Sequence, residues 1–223
     1  MEDEKINQPM TELAGEAAKA ERAGGLLESR DYYKPFQYPW AYEAFMQSEQ
    51  MHWLWTEVPM LEDVKDYQQK LTDSERDFLT KILRFFTQGD IDVSGAYVNS
   101  YLPRFKQPEV RMMLSSFAAR EAVHIAAYSH LIETLGLPES IYNEFLQYEA
   151  MAAKHDFFNE VCRDKGDLAA QIAAFSAFTE GMQLFSSFVM LLNFTRCGTM
   201  KGMGQIIAWS LSLIHISEPT RLG

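Results

Sequence analysis

Residues 120 to 130 read REAVHIAAYSH. In this run of alanines and aliphatics Glu121, His124 and Tyr128 fall within about 60° of one another at 100° per residue, so they share one helical face. Pro108 upstream and Gly136 downstream bracket the helix, because proline suits a first turn and glycine a C-terminal stop. An acid, an imidazole and a phenol on one face have two readings, an outer polar strip or a site. The rest of the chain decides between them.

Outward from this stretch the sequence reads as helix after helix, with no segment of persuasive period-2 alternation. A first helix is expected through AYEAFMQSEQMHWLW, ending before Pro59. A second starts at the capping box Thr72 to Glu75 and runs toward Pro103. The third is the Pro108–Gly136 helix, a fourth follows Pro138, and a fifth spans about 167 to 195 before Gly198. Long helices on short loops predict an all-α antiparallel bundle whose sites lie between facing helices. Residues 1–38, rich in Glu, Ala, Lys and Gly, are expected to be a mobile leader, 39–210 the helical domain, and 211–223 a tail of different character.

Composition narrows the function classes. A formal net charge of -11 in 223 residues argues against nucleic acid as a partner, since phosphate binding needs clustered Lys and Arg. Cys162 and Cys197 have no CxxC spacing, so neither a disulfide framework nor a zinc site is expected, and a reducing, cytoplasmic setting fits. The acidic N-terminus does not read as a signal peptide, and FVMLLNF is too short to span a bilayer, so no membrane association is expected.

Two carboxylates sit on apolar stripes. In the second helix Leu79, Leu83, Phe86, Val93 and Tyr97 trace one face, and Asp90 lies in it. In the fifth, Ala173, Ala177, Leu184, Phe188 and Leu191 trace another, interrupted by Glu180. A buried unpaired carboxylate costs several kcal/mol, so it is protonated, ion-paired or metal-bound. Any one such acid reads equally well as a paired structural residue. Arg84, Arg111 and Arg120 fall off the stripes, and Glu121-x-x-His124 adds two donors one turn apart that can reach one cation. Ferritin-like carboxylate proteins use one acid from each of two helices and a Glu-x-x-His from each of two more. By that pattern a second pair is due near 211 to 217, where LSLIHISEPT has His215 but Ser212 in place of the acid.

From about residue 40 to Ser210 the chain resembles the small (β) subunit of class I ribonucleotide reductase. The resemblance rests on FFTQGDIDVSG with Asp90, SSFAAREAVHIAAYSHLIETLG with Glu121, His124 and Tyr128, and FTEGMQLFSSFVMLLNF with Glu180. It implies a ferritin-like bundle in which Asp90, Glu121, His124 and Glu180 bind a dinuclear centre of two irons, with manganese or a mixed Mn/Fe pair suited by the same ligands. It further implies O2 activation, a radical on Tyr128, radical transfer through Trp55 with Trp53 as the rival, and delivery to a large (α) subunit that reduces ribonucleotides. A homodimer is implied as well. Other dimetal-carboxylate oxidases or ferroxidases, and a helical scaffold without chemistry, are the alternatives. The loss of pattern after Ser210 leads to the expectation of an interrupted reading frame whose product, with four of six ligands, is inactive.

Overall fold

The computed structural model describes residues 25–163 and 167–217. Seven helices organise them: α1 Pro39–Gln50, α2 Leu61–Lys65, α3 Asp73–Gly95, α4 Pro108–Thr134, α5 Glu149–Arg163, α6 Leu168–Arg196 and α7 Lys201–Ser217. No strand occurs among the described residues. α4 is the axis: it packs against α1, α3 and α7, while α6 lies against α3, α5 and α7. The all-α reading holds.

Local chemistry sets most of the helix ends. At α3 the Thr72 hydroxyl accepts from the Glu75 backbone N–H and the Glu75 carboxylate accepts from the Thr72 N–H, so both halves of the capping box form. α3 continues as a π-helical segment Ala96–Tyr101, giving nearly the length expected. α4 starts at Pro108 and stops at Gly136, whose φ of 72° only glycine adopts without strain. Gly198 ends α6 in the same way, at φ 88°.

Other elements depart from the expectations. The first helix stops at Gln50, and Trp53 and Trp55 lie in the connection that follows, Trp55 opening the short turn Trp55–Glu57. After Pro138 the chain makes two 3-10 turns before α5 begins at Glu149. α6 contains a long π-helical stretch, Ala174–Leu184. A wider turn shifts the register, so Ala173 and Ala177, expected in the core, are exposed, while Ala174, Phe175, Glu180, Leu184, Phe188 and Leu191 are buried. By length and composition α6 is the one helix among the described residues apolar enough to cross a bilayer; here it packs as a bundle helix. α7 runs through Ser217, and no Gly or Pro interrupts 211 to 217. Residues 218–223 of the expected tail lie outside the described residues.

The leader is described from Gly25 onward, and that part is tied down. Glu109, fully buried in the first turn of α4, pairs with Arg30 at 2.5 Å and accepts the backbone N–H groups of Gln37 and Tyr38 at 2.7 and 2.8 Å. Gln107 donates to the carbonyls of Gly25 and Glu28. Residues 1–24 lie outside the described residues.

A second acidic clamp fixes α7. Asp63 accepts from the N–H groups of Gly202 and Met203, both at 2.9 Å, and Asp66 accepts from Met200 N–H at 2.9 Å while pairing with Lys70. These acids sit at the positive end of a helix, where orphan donors await acceptors. A Cβ on Gly202 would meet Asp63 Oδ2 and Met60 Sδ at 2.8 Å, so only glycine lets the clamp close.

Candidate metal centre

Three helices converge on a cavity of about 20 Å³, room for a water-sized guest. α3 contributes Asp90, its π extension Tyr97, α4 Arg120, Glu121, His124 and Tyr128, and α6 Glu180. The 3.6-residue period of α3 carries Asp90 inward in the same stripe as Leu79, Leu83 and Phe86. The π-helical register of α6 carries Glu180 inward where a regular helix would present different neighbours. All four residues expected as ligands thus face one space.

At Asp90 the electrostatics are those of an acid short of donors. No N–H or O–H among the described residues donates to Asp90, which is 4% exposed. Burial, then repulsion from Glu121, push its pKa up to about 8, against the pull of His124. His124 Nδ1 lies 3.3 Å from Glu121 Oε2. Burial opposes the imidazolium, yet the Glu121 charge and hydrogen bond, with Asp90, hold its pKa above the ordinary value. His124 Nε2 is buried with no hydrogen-bond partner. An orphaned imidazole nitrogen beside oxygen donors is the lone pair a cation would take, and hard carboxylates with imidazole suit iron or manganese. The residues present fit a metal. Among the described residues, no three His, Cys, Asp or Glu side chains are drawn tightly enough together to hold an ion outright.

Tyr128 is 3% exposed and stacks on Phe86, with ring centroids 4.7 Å apart and 13° between planes. Its hydroxyl donates to Ser210 Oγ at the long distance of 3.5 Å, and Ser210 in turn donates to the Ile206 carbonyl. Burial first, then Asp90, push its pKa well above the usual phenol value, so it stays a neutral phenol. Tyr97, also buried, is raised by burial, then by Glu180 and Glu121.

Trp55 is not the tryptophan at the centre. Trp53 is: 5% exposed, it stacks on His124 at 6.1 Å and meets Trp209 of α7 at 5.3 Å, whereas Trp55 makes no ring contact among the described residues. The early end of α1 swings the connection so that the first tryptophan of HWLW, not the second, points inward. Arg120, set aside as off the stripes, also reaches the cavity and lies 3.5 Å from Glu49. Ser210 and Arg120 carried no signal in the sequence beyond adjacency to Trp209 and Glu121. His155 pairs with Asp92 at 2.8 Å. Cys197 is a free, exposed thiol, and the side chain of Cys162 lies outside the described residues.

An all-helical bundle with two inward acids and a Glu-x-x-His around one cavity defines the ferritin-like class of carboxylate proteins. Within that class, the family model for ribonucleotide reductase, small chain, matches residues 30–212, and the chain belongs to this family. It is 55% identical over 201 residues to a probable ribonucleoside-diphosphate reductase small subunit of Invertebrate iridescent virus 6, covering 83% of this chain and 56% of that protein. The chain spans about half the length of the curated relatives it matches. The fold is similar to dimanganese(II)-NrdF of Streptococcus sanguinis, with a TM-score of 0.77 at 18% identity, covering 85% of this chain and 67% of that one. It is similar also to an R2-like ligand-binding oxidase of Sulfolobus acidocaldarius, with a TM-score of 0.70 at 16% identity, covering 83% and 74%.

Proposed function

We propose that this chain belongs to the small subunit of a ribonucleoside-diphosphate reductase, in which a dimetal centre and a tyrosyl radical serve the reduction of ribonucleotides to deoxyribonucleotides. The observation that carries the reading is Tyr128, buried in the wall of the same cavity as Asp90, Glu121, His124 and Glu180. When bound, iron or manganese supplies the oxidising equivalent from O2. Asp90, Glu121, His124 and Glu180 would hold the metal, His124 through the nitrogen that has no hydrogen-bond partner among the described residues. Tyr128 is the residue to be oxidised, one electron and its phenolic proton passing to that oxidant, and the stacked Phe86 keeps water from the ring. Ser210 orients the phenol, and Trp53, against His124, is the residue through which the radical leaves toward a large subunit. A homodimeric, cytoplasmic assembly with that subunit goes with this reading.

The 55% identity to a reductase small subunit favours this over the ligand-binding oxidase, whose similarity extends to the fold alone. The test has two stages. Mn(II) titration followed by EPR reports binding by this chain, and Asp90→Asn or Glu180→Gln abolishes it. Joining residues 1–210 to the C-terminal half of the Invertebrate iridescent virus 6 relative, then adding Fe(II) and O2, yields a tyrosyl EPR signal that Tyr128→Phe removes. Metal binding without any Tyr128-dependent radical turns the assignment to the oxidase; no metal binding in either form turns it to the scaffold.

A further inference from the structure

A second cavity, of about 280 Å³, lies between α3, α5 and the π-helical part of α6. Its floor is buried and aromatic or small: Phe145 and Phe158 are 4% and 8% exposed, and Gly89 and Ala174 complete it. Phe157 and Phe178, both more than half exposed, frame its mouth. Phe178 therefore stands at an entrance, outside the core.

We propose that this cavity binds a small, uncharged aromatic molecule bearing one hydroxyl, a guest of the phenol class. Size comes first: an apolar cavity of about 150 Å³ suffices for benzene, so this one accepts a substituted ring with room to spare. Aromatic walls favour an aromatic guest, because edge-to-face contacts add to burial. Phe145 already meets His155 in that geometry, at 6.4 Å and 80°. Charge selects against ions. Asp92 is taken up by His155 at 2.8 Å and Gln88 at 3.1 Å, so it offers no free carboxylate to a cation. The remaining charge at the rim, Lys154, is exposed to water. One uncommitted polar group is left: the Gln183 side-chain amide lines the cavity and makes no hydrogen bond to the described residues, and it is the partner for the hydroxyl.

This site does not rest on the metal reading, but it adjoins that centre residue by residue. Gly89, Thr179 and Gln183 line it, while their chain neighbours Asp90, Glu180 and Leu184 line the metal cavity.

The probe is 4-fluorophenol, followed by fluorine NMR during titration of this chain. Saturable binding is expected. Ala153→Phe, which fills the cavity from the exposed side of α5, weakens it by about tenfold or more with an unchanged circular dichroism spectrum, and Gln183→Leu weakens 4-fluorophenol but not fluorobenzene. Asp90→Asn leaves it unaltered, which separates this site from the metal centre. Fluorobenzoate or fluorobenzylammonium binding as tightly as the phenol overturns the proposal, as does non-saturating binding or indifference to Ala153→Phe. Sedimentation showing self-association that Ala153→Phe abolishes also overturns it, since the face is then covered by a second copy.

Discussion

Two kinds of buried carboxylate stand side by side in this molecule. Glu109, Asp63 and Asp66 are each met by backbone N–H groups, and two of them also by a cation. Asp90 receives no hydrogen bond among the described residues and shares its cavity with Glu121, Glu180 and an imidazole with an orphaned nitrogen. The first kind pins segments to the bundle: the chain before α1 to α4, and α7 to α2. The second kind lacks that support: burial and Glu121 push the Asp90 carboxyl up to about 8, so near neutral pH it keeps its proton unless a cation takes its place. Burial alone does not distinguish a structural acid from a ligand; the supply of donors does.

The contrast breaks most sharply at Glu109. Glu109→Ala strands the buried Arg30 and two N–H groups, and is expected to cost about 3 to 5 kcal/mol in chemical denaturation, without changing the intrinsic metal affinity of molecules that remain folded. Asp90→Asn is expected to do the reverse, abolishing Mn(II) binding while leaving stability at neutral pH equal or higher, because an acid with no donors is replaced by a neutral amide. A thermal unfolding midpoint several degrees below the unsubstituted chain would place Asp90 with the structural acids.

The α7 clamp gives smaller, pH-dependent effects. Burial works to raise Asp66, but the Lys70 hydrogen bond and the Met200 N–H outweigh it and hold its pKa below the usual carboxylate range. Its stabilisation is therefore present above the unfolded-state value near 4 and is lost as pH falls through the lower, folded-state value. Asp66→Asn is expected to cost about 1.5 to 3 kcal/mol at pH 7, and the gap from the unsubstituted chain closes in denaturation curves taken progressively below pH 4. Gly202→Ala, forced against Asp63, Met60 and the Pro59 carbonyl, is expected to cost about 1 to 3 kcal/mol at either pH. Thr72→Ala, which removes one half of the α3 capping box, is the smallest at about 1 kcal/mol by the same measurement.

The capping box, Pro108 and Gly136 were legible because they act within one turn of chain. Asp90 was legible because α3 keeps a regular period from Leu79 to Val93, so an acid in the stripe faces the core. The same rule misassigned Ala173 and Ala177, since the π-helical turns of α6 change the residues per turn and periodicity cannot register that. Trp53 against Trp55 was undecidable in sequence: the two are separated by one residue, and where α1 ends decides which points at His124.

The sequence by itself determined the helical class, the main helix boundaries, and the acids and histidine that share a cavity, because these depend on local spacing and on the cost of burying charge. Only the tertiary structure decided which tryptophan meets His124, that Arg120 and Ser210 belong to the site, and that Glu109 anchors the leader. Those outcomes depend on donors and rings brought from distant segments, and no local pattern encodes what packing alone brings together.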